Sequence, residues 1–298
     1  MLSYRHGYHA GNPADLLKHA VLIQLIKALQ RKEKGFCYFD THAGAGDYDL
    51  TSGFGQQQQE HCRGIEFLQQ RAQHIQHPAL KDYLALVTRY NQQRVQAKAP
   101  GIEADSAAES HSHSHSHSDG NGATSSLRFY PGSPAIAQHL QRPQDSLLLC
   151  DLHPQEPKSL KRLFKNCPQV AIHQRNGYEA MRALLPPKEK RALVLIDPSY
   201  ENKNEDIELS QALHASLKRF PQGVYAIWYP LIEQRNVVAT VKGQSWFRQC
   251  ESLDLRFNFP ESAQLGRMKA SGMLVVNPPW HARPQLEGLG EALVEIYS

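Results

Sequence analysis

An acid, a proline and an aromatic residue stand together at the end of an apolar segment of this sequence. Asp197, Pro198 and Tyr200 follow the run 192–196, whose β-branched and aliphatic residues are typical of a buried parallel strand. Open α/β sheets bind ligands at the carboxyl ends of such strands. The carboxylate and the Pro198 carbonyl can accept both hydrogens of an exocyclic amine, and the tyrosine ring can stack on a base. Taken alone, the four residues 197–200 are explained more simply by a strand and a proline turn.

A glycine turn after another apolar segment strengthens the functional interpretation. Asp40 ends the run 36–40, and Gly44 and Gly46 allow a sharp turn and a close approach of the backbone to a ligand. A Walker A loop is excluded because no Gly-Lys-Ser/Thr follows. A GxGxxG dinucleotide fingerprint is excluded because Asp49 stands at the position of its third glycine.

Composition bounds the class of protein. The chain has 298 residues, of which 41% are hydrophobic and 21% charged, so it is expected to be globular with a large core. It has no apolar run of about 18 residues and no secretory signal, which predicts a cytoplasmic protein without a membrane partner. The five cysteines are scattered and without a CxxC pair, as in a protein with reduced thiols. A net charge of +4 permits a polyanionic partner.

Seven apolar segments with helical patterns between them predict a doubly wound, seven-stranded α/β sheet. The predicted strands are 36–40, 147–150, 169–173, 192–196, 224–229, 252–259 and 272–276. Polar residues follow several of them, and these residues should meet at one edge of the sheet.

More than 100 residues separate the first two strands, although a whole βαβ unit takes about 30. An insert is therefore expected, with helical periodicity over 64–93 and a stretch rich in Ala, Ser, Gly and His after it. The predicted division is a sheet domain (1–47 and 129–298), a helical subdomain (48–95) and a disordered low-complexity linker (96–128). Ser and His alternate over 110–118, but an adventitious polar tract is a better explanation than a metal site, so no metal is predicted.

The order of these motifs resembles that of class I S-adenosylmethionine-dependent methyltransferases that act on amino groups. The chain is most similar to the RlmJ family of bacterial 23S rRNA adenine-N6 methyltransferases. The resemblance covers most of the chain outside the His/Ser tract. Its segments are 1–6, 9–12, Asp15 with 18–19, 40–46, 130–134, 152–154, 197–200, 228–230, 270–273 and 277–280. Two residues depart from the family pattern: Ser199 stands where Pro is usual, and Asp151 stands where Glu is expected.

The resemblance implies a Rossmann-like methyltransferase fold, S-adenosylmethionine as cofactor and 23S rRNA as partner, protein-free or in an early assembly intermediate, with no obligate protein partner. The implied cofactor-binding residues are His19, His42, Gly44, Gly46, Ser133, Asp151, Asn176, Gly177 and Asp197. The implied substrate-binding residues are Tyr4, His6, Lys18 and Tyr200. Residue chemistry agrees at two positions, because Asp151 at a strand tip can bind ribose hydroxyls and Asn176 can pair with an adenine edge.

The expected reaction is direct methyl transfer to the N6 atom of an adenine that has left its stack. Asp197, Pro198 and Tyr200 are the predicted catalytic residues. Asp197 accepts hydrogen bonds and then the proton, so positioning and electrostatics supply most of the catalysis without a metal.

The tetrapeptide 277–280, Asn-Pro-Pro-Trp, is by itself the better match to an amino-methyltransferase motif. Only 18 residues follow it, too few for the strands that come after a catalytic one, so Asn277 is expected to end the last strand and Trp280 to serve packing. Two alternative functions remain open: a DNA adenine-N6 methyltransferase, and a non-catalytic nucleic-acid-binding protein with a methyltransferase fold. The target nucleotide and the oligomeric state do not follow from the sequence.

Overall fold

A computed structural model describes residues 6–98, 127–233 and 236–298 of the chain. The strands in these ranges are β1 (Cys37–Asp40), β2 (Asp47–Asp49), β3 (Phe129–Pro131), β4 (Ser146–Asp151), β5 (Val170–Gln174), β6 (Ala192–Ile196), β7 (Val224–Leu231), β8 (Ser252–Asn258) and β9 (Ala270–Val276). The α-helices are α1 (Pro13–Gln30), α2 (Gly53–Gln58), α3 (Glu60–Arg63), α4 (Ile65–Gln70), α5 (Pro78–Lys98), α6 (Ser133–Leu140), α7 (Glu156–Leu163), α8 (Gly177–Leu184), α9 (Glu205–Arg219), α10 (Val237–Lys242), α11 (Arg283–Leu286) and α12 (Leu289–Tyr297).

Seven strands form one sheet in the order β5-β4-β1-β6-β7-β9-β8. The first five are mutually parallel, and β9 runs antiparallel to both of its neighbours. All seven predicted strands are therefore confirmed, with end points shifted by at most two residues. Every residue of β6 is buried, as a parallel strand covered on both faces requires.

Helices cover both faces of this sheet and divide the hydrophobic core in two. One half lies between the sheet and α1, α5 and α12, and the other between the sheet and α8, α9 and α10. This arrangement confirms the doubly wound α/β fold.

The first helix is buried on nearly all sides, although its sequence predicts a single wide apolar face. Fifteen of its 18 residues are buried, because α5 covers the side that the sheet leaves open. The Asn12 side chain caps the helix by accepting from the Asp15 amide at 3.0 Å, and Pro13 occupies its first turn. Burial thereby extends to its charged residues Asp15 and Lys18.

The helical insert differs from its sequence pattern. The helical character predicted for 64–93 is present, but it is divided between separate helices, because Pro78 cannot continue a helix and disfavours helical backbone before it. The segment instead forms α4, a short 3₁₀ turn (Ala72–His74) and α5. Helix α5 continues to Lys98, beyond the expected boundary at 95, and residues 99–126 of the predicted linker lie outside the described residues.

A two-stranded ribbon that the sequence pattern does not reveal joins the two ends of the insert. Strands β2 and β3 pair antiparallel, with Tyr48 opposite Tyr130. Large apolar side chains of α5 also share the core of α1. The insert is thus packed as part of the sheet domain, and the division at 47/48 and 95/96 stays a prediction.

Among the described helices, none is both long enough and apolar enough to cross a membrane. All five cysteines are free thiols in the structure, in agreement with the sequence prediction.

Candidate active site

Three acidic residues lie at the carboxyl edge of neighbouring parallel strands. Asp40 and Asp151 end β1 and β4, and Asp197 directly follows β6. Since these strands are adjacent in the sheet, the polar residues that the sequence predicts to meet do share one edge.

An open cavity with about 740 Å³ of empty space lies at this edge. Its lining includes six residues predicted to bind the cofactor, namely His19, His42, Gly44, Ser133, Asp151 and Asp197. It also includes two residues predicted to bind substrate, His6 and Lys18. The remaining predicted cofactor residues, Gly46, Asn176 and Gly177, lie outside the lining formed by the described residues.

The glycine turn needs the left-handed backbone that glycine permits. Gly44 has φ +61° and Gly46 has φ +87°. A Cβ atom on Gly46 would lie 2.8 Å from Leu163 Cδ2 and 2.9 Å from Leu160 Cδ2, so this glycine also lets α7 pack against the turn. Gly46 therefore lies on the side of the turn that packs against α7, while Gly44 faces the cavity.

Asp151 ties the glycine turn to the end of β4. Its Oδ2 accepts the Gly44 amide at 2.8 Å, and its Oδ1 accepts the His153 amide at 2.8 Å. Burial raises the pKa of Asp151, and these two backbone bonds partly oppose the rise. Each carboxylate oxygen can accept a further bond, so the side chain fits a pair of ribose hydroxyls.

Asn176 and Gly177 hold the start of α8. The Asn176 side-chain oxygen accepts the amides of Tyr178 and Glu179 and so caps the helix. A Cβ atom on Gly177 would lie 2.4 Å from the Thr41 carbonyl oxygen. Both residues thus serve the close packing of α8 against the end of β1.

Asp40 is fully buried beneath the cavity. Its carboxylate accepts hydrogen bonds from the hydroxyls of Ser133, at 2.7 Å, and Tyr38, at 2.6 Å. Burial raises the pKa of Asp40 to about 6, although the two hydroxyls oppose the rise. Ser133 is therefore oriented by Asp40 at the first turn of α6.

Of the two predicted cofactor histidines, His19 is buried and His42 is half-buried, and both are uncharged near neutral pH. Burial lowers the pKa of His19 to about 3 and that of His42 to about 4. His42 Nδ1 lies 2.8 Å from the Thr41 hydroxyl, and His19 Nδ1 lies 2.7 Å from the Tyr130 hydroxyl. Both rings can therefore offer an uncharged nitrogen to a ligand near neutral pH.

Lys18 bridges two carboxylates at the inner end of the cavity. Its Nζ lies 2.7 Å from Asp15 Oδ1 and 2.7 Å from Asp197 Oδ2. Burial alone would lower the pKa of Lys18, but the two carboxylates raise it above its usual value. Asp15 also accepts the Gly11 amide and contacts His6, which fixes the bridge in place.

A second cavity, with about 850 Å³ of empty space, opens on the other side of this bridge. Both cavities are lined by His6, Lys18, Asp197 and Ser199. Aromatic and apolar side chains form much of the second one, including Tyr200, Trp228, Leu265 and Met268. The Lys18–Asp197 pair is thus the common wall of two chambers.

Tyr200 is held as a wall of the second cavity. Its hydroxyl donates to the Trp228 carbonyl at 2.6 Å, and its ring lies 5.9 Å from the Trp228 ring. Its φ of +56° is unusual for a residue other than glycine, and such conformations cluster at functional sites.

Comparison with known proteins identifies the family. Residues 33–111 and 118–297 match the profile of the RsmJ family, described as ribosomal RNA large subunit methyltransferase D, RlmJ. The chain belongs to this family. It is 37% identical to ribosomal RNA large subunit methyltransferase J of Haemophilus influenzae, over 96% of this chain and 91% of the relative. It is 35% identical to the protein of the same name from Escherichia coli K12, over 97% of this chain and 91% of the relative.

A solved structure supports the fold. Protein LPL1258 from Legionella pneumophila superposes with a TM-score of 0.76 at 28% identity, over 97% of this chain and 94% of that one. The family resemblance of the sequence and the Rossmann-like methyltransferase fold are thereby confirmed. S-adenosylmethionine, the methyl donor of this enzyme class, is likewise confirmed as the cofactor.

The second motif of this RlmJ-family chain, at 277–280, lies far from the two cavities. Asn277 follows β9, which runs antiparallel to β7, so it lies at the opposite edge of the sheet. Its side-chain amide donates to the carbonyls of Pro221 and Gly223 at 2.8 Å each, which anchors a turn. The expectation that Asn277 ends the last strand is confirmed. The packing role expected for Trp280 is wrong, since its side chain is 77% exposed.

The sequence of this family member does not reveal the role of some residues at the site. One predicted site residue is not tested by the structure. Tyr4 lies outside the described residues. Asp15, Tyr130 and Trp228 belong to the segments of the family resemblance, but the sequence assigns none of them a role at the site. The i,i+3 spacing of Asp15 and Lys18 was the available signal for their ion pair.

Proposed function

We propose that this chain transfers the methyl group of S-adenosylmethionine to the N6 atom of an adenine in 23S rRNA. The observation that carries the proposal is the pair of cavities with Lys18 and Asp197 in their common wall. A two-substrate transfer needs two binding chambers that meet where the reaction occurs.

The first cavity suits the cofactor. Asp151 offers carboxylate oxygens to the ribose hydroxyls, and Gly44 lets the backbone come close to the ligand. His19, His42 and Ser133 contribute uncharged polar groups to the same wall. Gly46, Asn176 and Gly177 support the cofactor by shaping the turn and the start of α8. S-adenosylmethionine supplies an electrophilic methyl group carried on a sulfonium.

The second cavity suits an unstacked base. Its aromatic wall offers a stacking surface, and the Tyr200 ring is fixed because its hydroxyl is bonded to the Trp228 carbonyl. His6 lies at the boundary of both cavities, and Tyr4 joins it in this proposal on the resemblance alone. A base inside a helix cannot reach such a pocket, so the target adenosine must be flipped out or unpaired.

Asp197 and Pro198 act on the amine. Lys18 donates to Asp197 Oδ2, which orients the carboxylate and leaves Oδ1 to accept a hydrogen bond from the amine. A second bond to the Pro198 carbonyl favours a tetrahedral nitrogen whose lone pair points toward the methyl group. Asp197 then takes up the proton that the methylated nitrogen loses.

The nature of the target rests on the relatives. The Haemophilus influenzae and Escherichia coli proteins bear the name ribosomal RNA large subunit methyltransferase. We extend that substrate to this chain, with protein-free 23S rRNA or an early assembly intermediate as the form recognised and the cytoplasm as the place of reaction. No obligate protein partner is part of the proposal.

The test is methyl transfer in vitro with a radiolabelled methyl donor. Protein-free 23S rRNA, assembled large subunits and adenine-containing duplex DNA are offered in parallel, and labelled nucleosides are identified by mass spectrometry. We expect N6-methyladenosine from protein-free rRNA and little from the other two. Preferential labelling of duplex DNA would support a DNA enzyme, and cofactor binding without any transfer would support a non-catalytic protein.

A further inference from the structure

Three buried side chains form a hydrogen-bonded row that ends in the wall of the first cavity. His19 Nδ1 lies 2.7 Å from the Tyr130 hydroxyl, and the Tyr130 hydroxyl lies 2.8 Å from the Tyr83 hydroxyl. Each of the three residues is at most 1% exposed. They come from three different elements, the central helix α1, the ribbon strand β3 and the insert helix α5.

The proton count of this row selects one arrangement. Each tyrosine carries one hydroxyl proton, and the described residues offer Tyr83 no acceptor other than the Tyr130 oxygen. If Tyr83 donates to Tyr130, then Tyr130 donates to His19 Nδ1, and both hydroxyl protons are bonded. If His19 Nδ1 carried the proton instead, one of the two buried hydroxyls would have no acceptor. The loss of that hydrogen bond favours the tautomer with its proton on Nε2 over the other tautomer by a population ratio of about tenfold or more.

We propose that Tyr130, supported by Tyr83 of the insert, is a positioning residue that fixes the His19 tautomer with its proton on Nε2. The ring then presents an N–H donor in the wall of the cofactor cavity before any ligand arrives. A fixed donor suits an anionic or carbonyl group, such as the carboxylate of an amino acid. This part of the inference rests on the proposed function, because it assigns the first cavity to S-adenosylmethionine.

The row also gives the insert a role at the site. Helix α5 does not line the first cavity, yet Tyr83 reaches His19 through a single intervening hydroxyl. Because all three groups are buried, water does not compete for these bonds as it would at the surface. The insert therefore supplies the hydrogen bond that holds the Tyr130 hydroxyl from its other side, while Tyr130 itself sets the tautomer.

The test is the ¹⁵N spectrum of the histidine rings in cofactor-free protein. His19→Gln assigns the His19 signals among the 16 histidines. We expect Nε2 to be the protonated nitrogen and Nδ1 the acceptor. Tyr130→Phe should shift the signals toward a mixture of tautomers, whereas Tyr83→Phe should leave the tautomer unchanged because Tyr130 still donates. Protonation of Nδ1 in the wild-type protein would overturn the proposal, whether or not the two tyrosine variants fold.

A binding measurement gives the second readout. Titration with S-adenosylhomocysteine is expected to show about fivefold to tenfold weaker binding for Tyr130→Phe. Tyr225→Phe is the matched control, because Tyr225 is a fully buried tyrosine whose hydroxyl bonds the Phe220 carbonyl in the other half of the core. An equal loss of affinity in Tyr130→Phe and Tyr225→Phe would show that the loss comes from lower stability of the protein, and it would overturn the positioning role. A wild-type protein that binds no S-adenosylhomocysteine would refute the proposed function. The ¹⁵N spectrum would still decide separately whether Tyr130 fixes the His19 tautomer.

Discussion

At the scale of single residues, the chemistry of the site could be predicted from residue types and positions. The hydrogen bonds that join its residues could not. Asp40, Asp151 and Asp197 were found because each follows an apolar strand, and parallel strands end at one edge. The bond from Lys18 to Asp197 joins residues 179 positions apart, so no local pattern reveals it. The same holds for Tyr130, which meets His19 only in the folded chain.

The first residue-scale prediction concerns the two competing motifs. Asp197→Ala should lower the rate of methyl transfer by on the order of 100-fold or more, because the hydrogen bonds to the amine and the proton acceptor are lost. The protein should still fold, since Lys18 keeps its bond to Asp15. Asn277→Ala should keep substantial activity, because that side chain only anchors a turn at the far edge.

Both variants are measured by methyl incorporation, with circular dichroism as the check on folding. An active Asp197→Ala enzyme, or a folded but inactive Asn277→Ala enzyme, would refute the assignment of the catalytic strand.

A second residue-scale prediction concerns pH and the buried Asp40. Its pKa of about 6 lies above the unfolded value of about 3.9, so the folded state holds the proton more tightly. The stabilisation from this group is fully present below pH ~4 and is lost as the pH rises through 6. The free energy of unfolding of wild type minus that of Asp40→Asn should fall by on the order of 2–3 kcal/mol from pH 4 to pH 7. Urea unfolding at several pH values measures this difference, and a pH-independent difference would contradict the argument.

At the scale of elements, strands were predicted better than the insert. The seven sheet strands are continuous apolar runs, and burial on both faces keeps that signal clear. The ribbon of β2 and β3 was missed because its strands have three residues each and lie about 80 positions apart. Helix α1 is buried all round only because α5 covers it, which its own periodicity cannot show.

The element-scale prediction concerns the joint between α5 and β3. Asn91 is buried, and its side-chain oxygen accepts the amides of Arg128 and Phe129 at 3.0 and 2.9 Å. Asn91→Ala should lower the free energy of unfolding by about 2–4 kcal/mol, because two backbone donors lose their acceptor. The exposed Gln93→Ala on the same helix is the control and should change it by about 0.5 kcal/mol or less. Equal effects of the two variants would show that the joint contributes nothing specific.

At the scale of the whole molecule, fold class and family followed from the order of motifs along the chain. Each motif is weak alone, as the segment 277–280 illustrates, since the better sequence match lies at the wrong edge of the sheet. Order restricts the choice because the sheet topology determines which strand ends are neighbours. How closely the insert packs on the sheet domain depends on side-chain contacts between distant segments, which no local pattern specifies.

The whole-molecule prediction concerns the low-complexity segment. Replacing residues 99–126 with a linker of about eight Gly and Ser residues should leave the melting temperature within about 2 °C. The segment has few large apolar side chains to bury, so little stability should be lost with it. The contact of Lys98 with the Phe129 ring lies outside the replaced segment and is retained. Calorimetry of the shortened protein, with S-adenosylhomocysteine binding as the second readout, measures the effect. A large fall in either quantity would mean that the segment is an ordered part of the protein.

The central claim is that this chain forms N6-methyladenosine in 23S rRNA, and nucleoside mass spectrometry of that RNA tests it most directly. The RNA is taken from cells that carry the gene and from cells in which the gene is deleted. It is also taken from gene-deletion cells complemented with either the wild-type gene or the Asp197→Ala variant. We expect one N6-methyladenosine to disappear with the gene, to return with the wild-type copy and to stay absent with Asp197→Ala. An unchanged content of N6-methyladenosine in the deleted cells, or the loss of a different methylated nucleoside, would contradict the claim.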